Sequence, residues 1–354
     1  MTGLDARHEP AAESGRTVSD VVAERRRRKP RRKTTDAWVG YLATVAATVA
    51  VLFAAYSAAL AALYRTDHLP PPPIVNELCA DEKLEWLRDT PAQNPNLMVV
   101  GSSLAWRNID SEQFVLRHPS LRPLNGGVCH AQVNQAVFVA EYLLGHLSSV
   151  QIVVAVVGPQ DATDCAMVPG QLFDPQVADR YVFDRRWAFP FYVSHFDIVS
   201  LARNASAIRD LRDAHHAGVT LAMTRYGDGP MNVIGDPGRN LQYAALKRYD
   251  PACFASLRGL AETVMASGRD FLVAVSPVNP TWSGIYDTDG RRQDDLVARL
   301  RSALRGTGAR LWDGRLAFAG EPSDFTDAVH LNWTAAHRFT AMLAATLDID
   351  RNRL

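Results

Sequence analysis

Cysteine is scarce, with four in 354 residues, which excludes a disulfide-dense scaffold. The four do not fall at zinc-site spacings, and His215-His216 brings no matching ligand set, so no metal or other cofactor is expected. Glycine (22) and proline (20) are too few for a collagen-like or low-complexity chain. Neither sign of charge is in excess, with 38 Lys+Arg against 38 Asp+Glu. There is no internal repeat. Hydrophobic residues make up 47% and charged residues 21%, enough for a sizeable core in one large or two ordinary domains.

The zero net charge hides an asymmetry. Residues 1–36 carry 10 basic and 6 acidic side chains, leaving 28 basic and 32 acidic in the rest. A mildly acidic body gives no reason to expect nucleic acid as a partner. The basic excess gathers in Arg25-Arg26-Arg27-Arg28-Lys29-Pro30-Arg31-Arg32-Lys33, and residues 1–24 before it are polar and aperiodic.

Ala37 to Tyr64 is 28 residues without a charged side chain. As a helix it extends about 42 Å, enough to cross a hydrocarbon core of roughly 30 Å. Trp38 and Tyr41 at one end and Tyr64 at the other fit interfacial positions, and the basic run predicts a cytoplasmic N-terminus and an exported remainder. A cleaved signal peptide is the alternative, with Ala59-Leu60-Ala61 as its cleavage site, but the apolar run is about twice the usual length. Pro70-Pro71-Pro72-Pro73 then predicts an extended spacer holding the folded domain off the membrane. The expected organisation is a disordered basic tail (1–36), a transmembrane helix (37–64), a Pro-containing lead-in (65–94) and an exported domain (95–348).

In that domain short apolar runs alternate with helical periods. Leu97-Met98-Val99-Val100, Leu124, Ile152 to Val157, Phe271 to Val275 and Leu311-Trp312 read as strands. Helical patterns cover Gln132–Leu147, Phe254–Ala266, Asp294–Leu304 and Thr334–Leu347. Apolar strands separated by helices predict an α/β fold, a parallel sheet between two helical layers. Residues 165–250 break this rhythm. They are rich in Arg, Asp and aromatics, including Tyr181, Phe183, Trp187, Phe189, Phe191 and Tyr192, and are read as an insertion at the strands' C-terminal edge. All four cysteines lie beyond the apolar run, where disulfides are permitted, and free buried thiols are the alternative.

Ligands of open parallel sheets bind beyond the C-terminal strand ends. Three turns there carry chemistry. Gly101-Ser102-Ser103-Leu104 follows a strand and can present a hydroxyl at its tip. Asp327-Ala328-Val329-His330 can set a carboxylate on an imidazole, the orienter–base relation that a nucleophilic serine needs. Gly158-Pro159-Gln160-Asp161 offers a side-chain amide as an oxyanion donor. Singly, each also reads as a cap or a solvated turn.

In this order the three resemble the SGNH, or GDSL-like, hydrolase family over roughly residues 95–348. The resemblance implies a flavodoxin-like three-layer fold, with Ser103 in the nucleophile place, Ser102 in the family's Asp place, and Asp327 and His330 as orienter and base. Gln160 stands where the family has Asn. In Asn125-Gly126-Gly127-Val128-Cys129-His130, Gly127 matches the first glycine of the second block, and His130 falls in the oxyanion-glycine place. Cys129 and Cys165 would follow neighbouring strands, and a disulfide between them would brace the site. An anchor helix before a Gly-Ser-Ser domain is similar to the anchored SGNH-like proteins of surface-polymer acylation, such as the D-alanyl transfer protein of teichoic-acid systems and the alginate O-acetylation proteins. That similarity implies O-acyl transfer to an exported polysaccharide, with an integral-membrane O-acyltransferase as donor. Esterase or deacetylase activity, or a non-enzymatic scaffold role, are the alternatives.

Overall fold

A computed structural model describes residues 31–90, 94–215, 219–232, 241 and 247–347. Most of the basic run and the tail before it lie outside the described residues. The chain divides into two compact units, residues 1–65 and 66–354. In the first, helix α1 (Arg31–Arg65) contains a 31-residue stretch, Thr35–Arg65, long and apolar enough to cross a membrane.

The second unit is built on five strands: β1 (Leu97–Gly101), β2 (Pro123–Asn125), β3 (Ile152–Val157), β4 (Asp270–Val275) and β5 (Arg310–Asp313). Their order is β2-β1-β3-β4-β5 and every pair is parallel. This is the expected parallel α/β architecture. The side-chain alternation of a strand feeds two separate cores. Met98 and Val100 of β1 join α5 (Val133–His146), α8 (Pro251–Ala266) and α9 (Arg291–Leu304) on one face. Leu97 and Val99 join Phe114 of α4 (Glu112–Arg117) and Phe339 of α10 (Trp333–Ala344) on the other. The remaining labelled helices are α2 (Leu78–Asp89), α3 (Ser103–Arg107), α6 (Phe189–Ser194) and α7 (Ile198–Ala205). Strand and helix bounds shift from the predicted ones by up to a few residues, because caps rather than apolar residues set the ends. Pro251 follows the capping Asp250, for example, and extends α8 backward from Phe254.

Chain order fixes where a site can form. From β1 the chain steps to β2 on one side and then crosses to β3 on the other. The tips of β1 and β3 therefore flank the switch point of the sheet.

Between β3 and α8 the described chain adds only helices and turns. Tyr181, Phe191 and Tyr192 are buried there, while Trp187 is exposed. The proline run does not project as a spacer. Pro70, Pro71 and Pro72 are buried, Tyr192 Oη donates to the Pro70 carbonyl (2.6 Å), and Arg212 donates to that of Leu69 (3.2 Å). Prolines lack N–H groups, so they pack against a protein surface with fewer donors to satisfy.

The disulfides correct the expected Cys129–Cys165 pair. Cys79 bonds Cys129, and Cys165 bonds Cys253. Helix α2 brings Cys79 beside the 127–130 loop, and the start of α8 brings Cys253 to the segment after β3. Both partners come from elements that the pairing of neighbouring strand tips left out.

Candidate active site

Strand β1 ends on Gly101, with φ +147°, a value L side chains rarely adopt. A Cβ there would stand 2.5 Å from the Val156 carbonyl oxygen and 2.8 Å from the Ala105 Cβ, so only glycine allows this turn. Ser102 follows as the N-cap of α3, and its hydroxyl accepts from the Leu104 N–H (3.1 Å). Ser102 is buried, whereas Ser103, the first helical residue, holds its Oγ 2.8 Å from His330 Nε2. The backbone N–H groups of a first helical turn have no partner within the helix, so that of Ser103 faces the same end.

His330 Nδ1 lies 2.7 Å from Asp327 Oδ2, while Asp327 Oδ1 accepts from the N–H groups of Val329 and His330, both at 2.8 Å. Burial alone would raise the Asp327 carboxyl. The adjacent His330 ring and the two N–H donors outweigh it and hold the group below the usual carboxylate range. The structure thus joins the two short motifs predicted to act together, 227 residues apart in the chain.

Residues without a sequence motif hold this turn in place. Asn108, the C-cap of α3, is fully buried. Its amide donates to the Val329 carbonyl and to Ser276 Oγ (both 2.9 Å), and its oxygen accepts from the Leu331 N–H (2.8 Å). Asn279 donates to the Asp327 carbonyl (3.1 Å). Thr326 N–H donates to the His330 carbonyl (2.8 Å), closing the turn. Arg107 lies one helical turn on from Ser103 and is almost fully buried, with its guanidinium 3.7 Å from the Trp106 ring centroid. Burial pulls Arg107 down to about 9, against the opposing attraction of the Asp327 carboxylate.

The expected oxyanion residues divide. The Gly127 N–H donates to Asn125 Oδ1 (2.9 Å), so it is already engaged, and a Cβ on Gly127 would strike the Trp106 backbone nitrogen at 2.7 Å. Gly127 is therefore a close-approach glycine that lets the β2 turn pack on α3. His130 has φ +57° and sits 3.4 Å from Glu77 Oε1, which holds its imidazole above the ordinary range. A positive φ is the conformation glycine supplies most readily, so a histidine here is unusual. Gln160 stands at the tip of β3, and both polar atoms of its side-chain amide are buried without a hydrogen-bond partner.

Glu77, Cys79, Cys129 and His130 gather ligand-type atoms within 4.8 Å. The two sulfurs are bonded to each other and offer no thiolate to a metal.

Asp161 is buried behind Ser102 and accepts from the Gly158 N–H (2.8 Å). Burial pushes it up to about 7, and the donors at Gly158 and Ser102 reduce the shift. A folded-state value above the unfolded one means that the folded protein holds the extra proton. Asp161's contribution to stability is therefore complete below about pH 4 and lost as pH rises towards 7. Urea melts of Asp161→Asn and wild type are expected to diverge in the variant's favour between pH 5 and 8 by roughly 1–3 kcal/mol. A constant difference across that range would contradict the assignment.

A parallel α/β sheet carrying a Ser–His–Asp relay at its switch point is a serine-hydrolase-type arrangement. No family model matches the sequence, and no curated protein is similar to it. Among solved structures, the chain is similar to a carbohydrate acetylesterase from Sinorhizobium meliloti, with 12% identity and a TM-score of 0.36, covering 70% of this chain and 96% of that one. It is also similar to the M. smegmatis aryl esterase in an inhibitor-bound form, with 10% identity and a TM-score of 0.34, covering 70% and 96%.

Proposed function

We propose that the protein is a membrane-anchored serine enzyme of ester chemistry that carries an acyl group on Ser103. One observation carries the reading: the unbroken relay Ser103 Oγ–His330 Nε2, His330 Nδ1–Asp327 Oδ2, at 2.8 and 2.7 Å. His330 takes the Ser103 proton as Oγ attacks the ester carbonyl. The tetrahedral intermediate collapses, the leaving oxygen takes that proton from His330, and an acyl-Ser103 ester remains. Water or an alcohol then gives its proton to His330 and attacks the ester, and Ser103 recovers its proton. The N–H of Ser103, the backbone at His130 and the Gln160 amide are the oxyanion donors in this scheme. Gln160 is favoured for this role because its buried amide is otherwise without a partner.

Water as acceptor makes the enzyme an esterase. Transfer to a sugar hydroxyl of an exported polysaccharide is the second reading, favoured by the apolar helix α1 and the basic run before it. In that reading the N-terminus is cytoplasmic, the domain is exported, and an integral-membrane O-acyltransferase supplies the acyl group.

The full chain in detergent, given an activated acetyl ester, is expected to gain one acetyl group on the peptide containing Ser103. Turnover in water alone marks an esterase, and turnover that needs added glycan marks a transferase. A folded protein with neither adduct nor turnover would overturn the acyl-enzyme reading. Gln160→Ala is expected to lower kcat by about 10²–10³-fold with little change in KM, the signature of an oxyanion donor. An unchanged kcat would remove Gln160 from the scheme.

A further inference from the structure

The segment after the π-turn at Asp179–Phe183 presents apolar side chains outward. Trp187 is 72% exposed, Ile198 52% and Val199 65%, with Val193 and Phe196 also exposed. Isolated exposed apolar residues are ordinary, but five within thirteen positions form a patch. The helices are not loosely held. Phe191 and Tyr192 of α6 are buried, and α7 is capped by Asp197, whose carboxylate accepts from the Val199 and Ser200 N–H groups (3.1 and 2.9 Å). Trp187 stacks on Phe189 (centroids 5.0 Å, planes 20° apart) beside exposed Arg185 and Arg186. Tryptophan and arginine next to an apolar helix face are the composition of an element lying in a lipid headgroup layer.

A tether gives the patch its partner. Tyr192 in its middle donates to the carbonyl of Pro70, and α1 ends at Arg65. Arg65 and Pro70 are five residues apart in the chain, a reach of at most about 18 Å. We propose that Trp187–Val199 is an interfacial element whose apolar side chains insert into the headgroup boundary of the phospholipid bilayer that α1 crosses. The proposal rests on the reading of α1 as a membrane anchor.

The test uses the full chain in phosphatidylethanolamine/phosphatidylglycerol vesicles, with Val199→Cys carrying an environment-sensitive nitrobenzoxadiazole dye. Leu316→Cys, at an 82% exposed position, is the control. Lipids with a nitroxide near the headgroup are expected to quench the dye at 199 roughly threefold more than at 316, and aqueous iodide is expected to quench it less, as for an element seated some 5–10 Å into the interface. Equal nitroxide quenching at the two positions would overturn the proposal. Shielding from iodide without nitroxide quenching would overturn it too, in favour of a protein partner on the patch. Flotation after carbonate extraction separates the two readings. A protein that floats but fails the quenching test loses the interfacial element and keeps the anchor. A protein that does not float loses both.

Discussion

Ser103→Ala is expected to lower kcat by about 10⁴-fold or more and to remove the acetyl adduct altogether, while the melting temperature stays within a few degrees. The loss is large because the relay acts as a unit. Without Oγ, His330 has nothing to deprotonate, and only binding and the oxyanion donors continue to act. His330→Ala should cost about as much. Ser102→Ala provides the contrast. It removes the cap of α3, a loss of about 1 kcal/mol, and leaves the adduct on Ser103. Mass spectrometry of the acetylated peptide decides between the adjacent serines. An adduct that survives Ser103→Ala would move the nucleophile elsewhere and end this mechanism.

Asp228→Ala is expected to give the largest stability loss, about 3–5 kcal/mol by urea denaturation. The Asp228 carboxylate has no exposure and accepts from Ser111 N–H, Ser111 Oγ, Asn125 Nδ2 and Thr224 Oγ1 at 2.7–3.0 Å. Across Asn125, the buried Lys83 ammonium donates to the carbonyls of Asn125 (3.1 Å) and Gly227 (2.5 Å). Burial pulls Lys83 down to about 7, and the charge on Asp228 opposes that pull. Removing the carboxylate strands four donors and leaves the cation without its counter-charge. Adding Lys83→Met to Asp228→Ala should recover part of the loss, since the unpaired charge goes with it. A single-variant loss under about 1 kcal/mol would mean that water reaches the cluster and satisfies it.

The sequence exposed those parts of the site that are written over short spans. Asp327 and His330 lie three residues apart, and the Gly101–Ser103 turn follows an apolar strand directly, so local geometry already suggests their roles. The parallel sheet was legible for the same reason: each strand is an apolar run between helical periods. The clamp around the histidine turn was not. Asn108 meets Val329 across 221 positions, and no spacing rule connects a lone asparagine to a carbonyl so remote. The Lys83–Asn125–Asp228 cluster is hidden similarly, since each member alone resembles a surface polar residue. The disulfide pairing is not legible in the sequence, because four cysteines allow three complete pairings and the choice depends on where α2 and α8 dock. The Gly127 N–H donates to its own turn's asparagine, a detail of backbone orientation that sequence spacing does not encode.

Asn108 closes the same short helix that Ser103 opens, and it grips the histidine turn on both sides of His330. Ser103 and His330 are thus mounted on one bracket. A displacement of that helix carries both ends of the relay together, so the motion cancels in the gap between Oγ and Nε2. Fluctuations of the surrounding loops can be wide while the gap between Oγ and Nε2 stays narrow, an economy of alignment set by a residue outside the proposed relay.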